Sequence, residues 1–510
     1  MADTRQSSDS QNDGSTLIDF LLCADPLAPA LSTIDGTVMR YDDVLATVER
    51  LTSQIVALGV ESQDRVAVIV PNGPEAALVT LAVAGCATAA PLNPGYTPSE
   101  FSFFLADLKV RAAITIAGGP CLDSVAPARM LSLTLTGSLS DLRLELDGSP
   151  LPTGVARFSS SDDVALVLHT SGTTARPKQV PLTHRNLASS AGNVARTLDL
   201  VPDDVGMNVM PLFHIHGLVA GLFASLAAGA SVTCTPGFDA LRFHRWLEMA
   251  EPSWFSAVPT MYQLLLARAQ GQRRSSAGAL RFTRSSSAPM PPAVIGAVEA
   301  LFGAPFIEAY GMTEAAHQMT ANPLPPGERK PGSVGIGGLT EVRVLREDGS
   351  WAAAGEQGEA VIRGECVTSG YVANPAANEA AFVAGWFRTG DLVHFDDDGY
   401  LFITGRLKEI INRGGTKISP REIDEVLLGH PDVAQAVAFA APHRWLGESV
   451  AAAVVLQDGS SASEAEIKEF AAERLVASRV PGRIVIVSEI PKGPTGKLQR
   501  VGLAEKLDLA

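Results

Sequence analysis

The chain predicts an α/β fold: a large N-terminal domain of helix-covered sheets with a β-rich subdomain, followed by a small α+β C-terminal domain. Three observations predict it. Up to Gly335, short apolar runs alternate with longer stretches of helical character, the pattern of a mostly parallel sheet covered by helices. From Gly335 the runs shorten and Asp-Gly pairs separate them, which marks hairpin turns. After Arg406, helical and strand patterns mix in one compact segment. The chain has 510 residues, 46% of them hydrophobic and 19% charged, so it can bury several cores.

The elements follow in order. Residues 1–15 are polar, lack an apolar h-region and read as a disordered tail, not a signal peptide. A strand is expected at 64–70, then Pro-Asn-Gly and a buried helix over 76–90. Strands follow at 112–116 and 164–168, a helix at 187–198 and a strand at 203–210. The Ala- and Gly-rich stretch 217–230 reads as a second buried helix. Residues 253–258 form a strand, with a helix over 259–270. The β-rich subdomain contributes 342–345, 358–363 and 399–404. The last segment contributes a helix at 420–428, strands at 433–439 and 450–456, a helix at 463–475 and a strand at 483–487. Ser463 with Glu466 offers a capping-box start. The expected domains are 16–407, including the β-rich part 335–407, and 408–510.

Composition narrows the function. A formal net charge of −15 argues against nucleic acid or an anionic membrane as partner. The apolar stretches 76–90 and 217–230 are too short to span a bilayer. Five cysteines, scattered without C-x-x-C spacing, suggest a reducing compartment, hence the cytoplasm, and speak against structural zinc. The oligomeric state, monomer or homodimer, stays open.

Several stretches carry chemistry. After the apolar run 164–168 comes His169-Thr-Ser-Gly-Thr-Thr-Ala-Arg-Pro-Lys178. Its hydroxyls, two cations and a glycine are suited to hold a polyphosphate. It is not a Walker P-loop, because no Gly-Lys-Ser/Thr stands in that frame. In Glu308-Ala-Tyr-Gly-Met-Thr-Glu314, Tyr310 can stack on a purine and Gly311 allows close backbone approach. Thr313 can donate to a phosphate, and Glu314 is a hard oxygen ligand for Mg²⁺. Pro211-Leu-Phe-His-Ile-His-Gly217 places His214 and His216 on one face if the segment is extended. Two lone histidines make a weak metal site. Trp386-Phe-Arg-Thr-Gly-Asp391, Gly405-Arg-Leu-Lys408, Asn412-Arg-Gly-Gly-Thr-Lys417 and Pro494-Thr-Gly-Lys-Leu-Gln-Arg500 complete the set.

Together these stretches resemble the adenylate-forming enzymes, the acyl-CoA synthetases and their relatives, from about Leu17 to Lys506. The resemblance implies ATP and CoA as co-substrates, Mg²⁺ at Glu314 and a mobile C-terminal domain hinged at Lys408. It implies ATP or AMP contacts at Thr170, Ser171, Gly172, Thr173, Thr174, Arg176, Lys178, Ser287, Ala288, Pro289, Glu308, Ala309, Tyr310, Gly311, Met312, Thr313, Asp391, Ile403 and Arg406. Asp391 would accept the ribose hydroxyls, and Lys497 would bridge the carboxylate and the α-phosphate. Thr313 and His214 are the other catalytic candidates. Arg413, Gly414 and Gly415 would face CoA. The chain departs from the family at Gln179, where glycine is usual after Pro-Lys, at Ala175, where Gly or Ser is frequent, and at Thr416, where a Glu is common.

The acid rests on fewer residues. His214, His216, Ser286, Ser287 and His317 flank the expected pocket and are polar, which suits a second carboxylate better than a fatty or aromatic tail. Phe-His-x-His-Gly-Leu, Arg-Ser-x-Ser-Ala and Thr-Glu-Ala-x-His resemble the oxalate-activating members. Malonate is the nearest competitor, and a medium-chain or aromatic monocarboxylate is the alternative if His317 is structural. A catalytically dead nucleotide-binding protein should have lost Glu314, Asp391 or Lys497, and all three are present. A peptide-synthetase adenylation domain would usually carry a following carrier domain.

Overall fold

A computed structural model describes residues 15–170, 177–269, 280–491 and 500–509. The expected tail lies outside them except for Ser15. The chain divides into two compact units, each taken by itself below. The first comprises Met1–His169, Gln179–Glu341 and Arg363–Glu379; the second comprises Thr170–Lys178, Val342–Ile362 and Ala380–Ala510.

The first unit holds two large sheets. One has nine strands. Its parallel centre runs Phe306–Met312, Phe282–Ser285, Trp254–Ala257, Val205–Asn208, Ser231–Cys234 and Pro29–Thr33. Antiparallel strands His317–Ala321 and Ile336–Gly337 close one edge, and Val38–Arg40 closes the other. Side chains alternate faces along a strand, and both faces are covered. Met207, Phe255 and Phe306 share a core with residues of the helices Phe243–Ala250, Pro259–Ala269 and Pro292–Phe302. Trp254, Phe282 and Ile307 pack instead against Val194, Leu198, Ala220 and Ala224. The second sheet has eight strands. It is parallel through Thr88–Pro91, Arg65–Val68, Ala112–Ile116 and Leu131–Thr136, with Arg143–Leu146 and Ser149–Pro150 antiparallel at the edge.

Two expected helices come out differently. The helix expected over 76–90 is Pro74–Cys86, after which Thr88–Pro91 is a strand buried throughout. An apolar Ala-rich run has no periodicity to separate the two, so sheet pairing decides where the helix ends. The stretch 217–230 is helical, but its first part, His216–Phe223, is a π-helix that passes into the short α-helix Ala224–Ala227. The helix expected over 259–270 runs Pro259–Ala269.

The second unit contains β-rich strands, with Trp386–Phe395 pairing Gly358–Arg363 and Leu401–Arg406. It also has a five-stranded C-terminal sheet. There Val433–His443 and Gly447–Leu456 form a long antiparallel pair, and Arg483–Ile486 lies parallel beside the second. Helices Pro420–Leu428 and Glu464–Ala472 bury Ile423, Leu427, Ile467 and Ala471 in its core. The capping box forms as expected: Ser463 Oγ accepts from Glu466 N–H, and Glu466 Oε2 accepts from Ser463 N–H at 2.8 Å. Among the described residues, no helix is long and apolar enough to cross a membrane.

Candidate active site

The nine-stranded sheet turns polar toward the carboxyl ends of its parallel strands. Trp254 and Phe282 are apolar; two residues on, on the same face, stand Ser256 and Arg284, which are register partners. Ligands in open α/β sheets bind off these ends. Arg284 is wholly buried. Its Nη1 donates to Ser256 Oγ at 3.2 Å and its Nη2 to Gln318 Oε1 at 2.9 Å, and both lie 3.4 Å from His317 Nε2. Its Nε has no partner, and no carboxylate among the described residues pairs with it. Burial lowers its pKa to about 10, so it stays protonated at neutral pH. Arg284 is not among the sequence candidates. It opens the Arg-Ser-x-Ser-Ala stretch, but order along the chain gives it no role; its burial emerges only once the strands on both sides of Phe282–Ser285 are placed.

Around Arg284 the structure gathers several acid-pocket candidates. His216 Nδ1 meets Ser287 Oγ at 3.1 Å, and His216 Nε2 meets Ser256 Oγ at 2.7 Å. The His216 and His317 rings stack with centroids 5.0 Å apart. His317 is pushed well below the usual imidazole range, first by burial, then by Arg284 and His216. Ser285 and Ser286 carry buried hydroxyls with no partner among the described residues. Ser287 (φ +75°) and His317 (φ +115°) hold a left-handed backbone that residues with side chains rarely adopt. Each such residue costs about 1–3 kcal/mol and persists only in a rigid surround.

The expectation that His214 and His216 share a face of an extended segment fails. His216 opens the π-helix, while His214 sits at a bend before it with its ring against Phe213, centroids 4.7 Å apart. Gly217 lets the chain close on itself here; a Cβ at 217 would lie 2.2 Å from Pro211 O.

Glu308, Ala309, Tyr310, Gly311 and Met312 lie on one strand, Phe306–Met312, and Thr313 and Glu314 on the 3-10 turn after it. Glu308 Oε2 accepts from Gly332 N–H at 3.1 Å. Glu314 is buried, and Tyr371 O–H donates to its Oε1 at 2.8 Å. Sequence reasoning misses Tyr371, which is remote along the chain and belongs to no motif. Among the described residues no group of three or more ligands could hold a metal. A single oriented carboxylate still fits Mg²⁺, which takes one or two carboxylates plus phosphate oxygens. Ser287, Ala288 and Pro289 follow the strand Phe282–Ser285.

Of the expected phosphate loop, Thr170 ends one strand and Lys178 begins the next. Ser171, Gly172, Thr173, Thr174, Ala175 and Arg176 lie outside the described residues. At the loop's stems, Asp107 Oδ2 meets His169 Nε2 at 2.9 Å and accepts from Gln179 Nε2 at 2.6 Å. Arg65 Nη1 donates to Gln179 Oε1 at 2.8 Å. Gln179 therefore ties the strand after the loop to the helix Pro98–Leu108, a tether that a glycine has no side chain to make.

In the second unit, Asp391 is buried and accepts from Arg406 Nε at 2.7 Å across the strand pair that registers them. Ile403 lies on the same strand as Arg406. Lys408 sits in the 3-10 turn Leu407–Glu409. Gly414 (φ +57°) and Gly415 (φ +89°) follow Arg413 and make the hairpin turn between Ile411–Arg413 and Thr416–Ile418. A two-residue turn with positive φ at both positions favours glycine. Thr416 is exposed there. Lys497 lies outside the described residues. Arg500, which follows in the chain, is held by Glu409 Oε2 at 3.0 Å and Asp424 Oδ2 at 2.7 Å.

The first unit thus carries a polar cluster at the strand ends of a doubly covered parallel sheet, with Tyr-Gly-Met-Thr-Glu at the end of a neighbouring strand and in the turn that follows it. The second carries the Asp391–Arg406 pair. The family described as AMP-binding enzyme matches residues 24–372, and the AMP-binding enzyme C-terminal domain matches 422–497. The chain belongs to the AMP-binding enzymes. It is 44% identical over 464 residues to an oxalate–CoA ligase of Arabidopsis thaliana, covering 89% of this chain and 90% of that one. It is 40% identical over 473 residues to an oxalate–CoA ligase of Saccharomyces cerevisiae, covering 87% of each. The crystal structure of ATP-bound MatB from Rhodopseudomonas palustris is similar with a TM-score of 0.87 at 29% identity, covering 96% of this chain and 98% of that one. The α/β fold class expected from the sequence is the one observed.

Proposed function

We propose that the chain is an ATP-dependent acid–CoA ligase that converts oxalate, ATP and CoA to oxalyl-CoA, AMP and pyrophosphate. One observation carries the choice of acid. Arg284 is a wholly buried cation surrounded by a serine, a histidine and an amide, with no carboxylate partner among the described residues. An unpaired buried charge costs several kcal/mol. A small diacid, reacting through one carboxylate and keeping the other, supplies the missing negative charge. An aliphatic or aromatic tail does not. The oxalate–CoA ligases among the relatives support the same acid. Malonate differs by one methylene, which a pocket discriminates by about 10- to 200-fold.

In this reading, a carboxylate oxygen attacks the α-phosphorus, the bond to the β-phosphate breaks and pyrophosphate leaves. The CoA thiol then attacks the acyl carbon, losing its proton, and AMP departs. Residues 170–178 hold the phosphates. Thr313 and Lys497 stabilise the charge that develops at the α-phosphate, an effect commonly worth about 3 kcal/mol per donor. Asp391 and Arg406 take the ribose, His214 attends the reacting carboxylate, and Arg413, Gly414 and Gly415 serve CoA. Magnesium, when bound, would neutralise phosphate charge, and Glu314, oriented by Tyr371, is the residue that would hold it. The domain boundary is placed at 407/408, with Lys408 as hinge between half-reactions. Five free cysteines suit the reducing cytoplasm.

The test is pyrophosphate release with ATP, Mg²⁺ and CoA against oxalate, malonate, acetate, octanoate and coumarate. Oxalate should turn over fastest, with CoA-dependent AMP formation. Turnover only with the monocarboxylates would overturn the acid and keep the ligase. ATP binding without turnover on any acid would favour a dead nucleotide-binding protein.

A further inference from the structure

We infer that Arg284 sets the direction of the hydrogen bonds in the acid pocket, holding His216 and His317 as neutral imidazoles protonated on Nδ1, so that the pocket offers donors to an anion. The inference rests on reading this cluster as the acid pocket. Arg284 is a positioning residue here, acting through Ser256, His216 and His317.

A guanidinium has five N–H donors and no acceptor. Both Nη atoms lie 3.4 Å from His317 Nε2, so that nitrogen must present its lone pair and the ring proton belongs on Nδ1. The second branch runs through Ser256. Arg284 Nη1 donates to Ser256 Oγ at 3.2 Å. Among the described residues, that hydroxyl meets only Arg284 and His216, whose Nε2 is 2.7 Å away. A buried hydroxyl proton needs an acceptor, and Arg284 cannot accept. Ser256 therefore donates to His216 Nε2, His216 carries its proton on Nδ1, and Nδ1 donates to Ser287 Oγ at 3.1 Å. The Ser287 proton is then turned away from His216.

The two branches end alike. Arg284 to Ser256 to His216 to Ser287 ends in a hydroxyl donor. Arg284 to His317 ends in an Nδ1–H donor. A Cβ on Gly311 would stand 1.8 Å from His317 O and 3.0 Å from His317 Nδ1, so only a glycine lets this strand pass so close to that ring. Burial beside a cation keeps His317 neutral. The pocket's positive charge thus sits one layer behind the imidazoles, which transmit it as hydrogen-bond direction.

The test is nitrogen NMR of the full chain labelled with ¹⁵N-histidine at neutral pH, with signals assigned by His216→Asn and His317→Asn. Both rings should be neutral with the proton on Nδ1. A proton on Nε2 of either ring, or an imidazolium at either position, overturns the inference. Arg284→Met should abolish the Nδ1 preference at both rings. Ser256→Ala, a smaller change in case Arg284→Met does not fold, should abolish it at His216 and leave His317 as it was. Retention at His216 in the Ser256 variant overturns the relay. In turnover, Ser256→Ala should raise KM for oxalate about tenfold while KM for ATP stays put; an equal rise for ATP also counts against it. Wild-type protein that ignores oxalate would sink the proposed substrate while the ring protons still decide this inference.

Discussion

Single residues at this site act by their atoms' donor and acceptor limits and by the space they leave. Gly311 shows the second. A Cβ there would lie 1.8 Å from His317 O and 3.0 Å from His317 Nδ1. The strand pair that joins Tyr310–Met312 to the turn at His317 has no room to absorb it, so Gly311→Ala should lower kcat/KM for the acid at least about 100-fold, a loss near 3 kcal/mol. Steady-state kinetics checks this, and retained activity would mean the strands shift freely. Lys497→Ala should abolish adenylation and spare thioester formation from supplied acyl-adenylate. Separate assays of the half-reactions decide it, and loss of both in a folded variant would remove the assigned role. The motif residues Tyr310, Glu314 and Asp391 are readable from order along the chain. Arg284, Ser256 and Tyr371 are not, because their meaning lies in neighbours 28 or more residues away, as the Ser256–Arg284 separation shows.

At the scale of elements, strength comes from ends and anchors. The helix Glu464–Ala472 begins with a complete capping box, and Ser463→Ala removes the acceptor for Glu466 N–H. The expected cost is about 1 kcal/mol, read as a lower urea midpoint without a change in slope. Arg500 anchors the chain that follows Lys497, and it is a larger case. Its guanidinium pairs with Glu409 and with Asp424, and burial pushes the Asp424 carboxyl up against the lowering pull of Arg500. Arg500→Ala leaves that acid buried and unpaired, so the loss should be about 3–5 kcal/mol. An unchanged midpoint would show that water reaches Asp424. The capping box is legible because its two residues are close in sequence. The Arg500 cluster is not, because Glu409, Asp424 and Arg500 come from three separate parts of the chain.

The whole molecule adds a pH dependence. His184 is buried; its Nδ1 accepts from Leu17 N–H at 3.3 Å and its Nε2 faces Ala84 O at 2.9 Å. Burial, the largest cause, lowers its pKa from 6.5 to about 4. The unfolded chain then binds a proton that the folded chain refuses between those values. Stability from this group is complete above pH 6.5 and is lost as pH falls toward 4, by about 3 kcal/mol in all. His317 is lowered for the same first reason and acts in the same direction. Urea midpoints should fall from about pH 7 to about pH 4.5, and His184→Gln should flatten the fall. An equal slope in that variant would assign the effect elsewhere.

The sequence by itself determined the class. Hydrophobic periodicity marked some of the strands and helices, among them Ala112–Ile116, Pro259–Ala269 and Val433–His443, because burial of one face or both leaves a pattern along the chain. The phosphate-loop, Tyr-Gly-Met-Thr-Glu and Thr-Gly-Asp segments are short, so their chemistry survives without three dimensions. Tertiary structure alone decided where the helix starting at Pro74 stops and the next strand begins, since pairing, not composition, separates two apolar runs. It replaced the extended His214–His216 segment with a π-helix, and it placed a buried arginine behind two histidines. Those outcomes depend on which strands lie side by side, and the order of strands in a sheet is written in contacts between residues far apart in the chain.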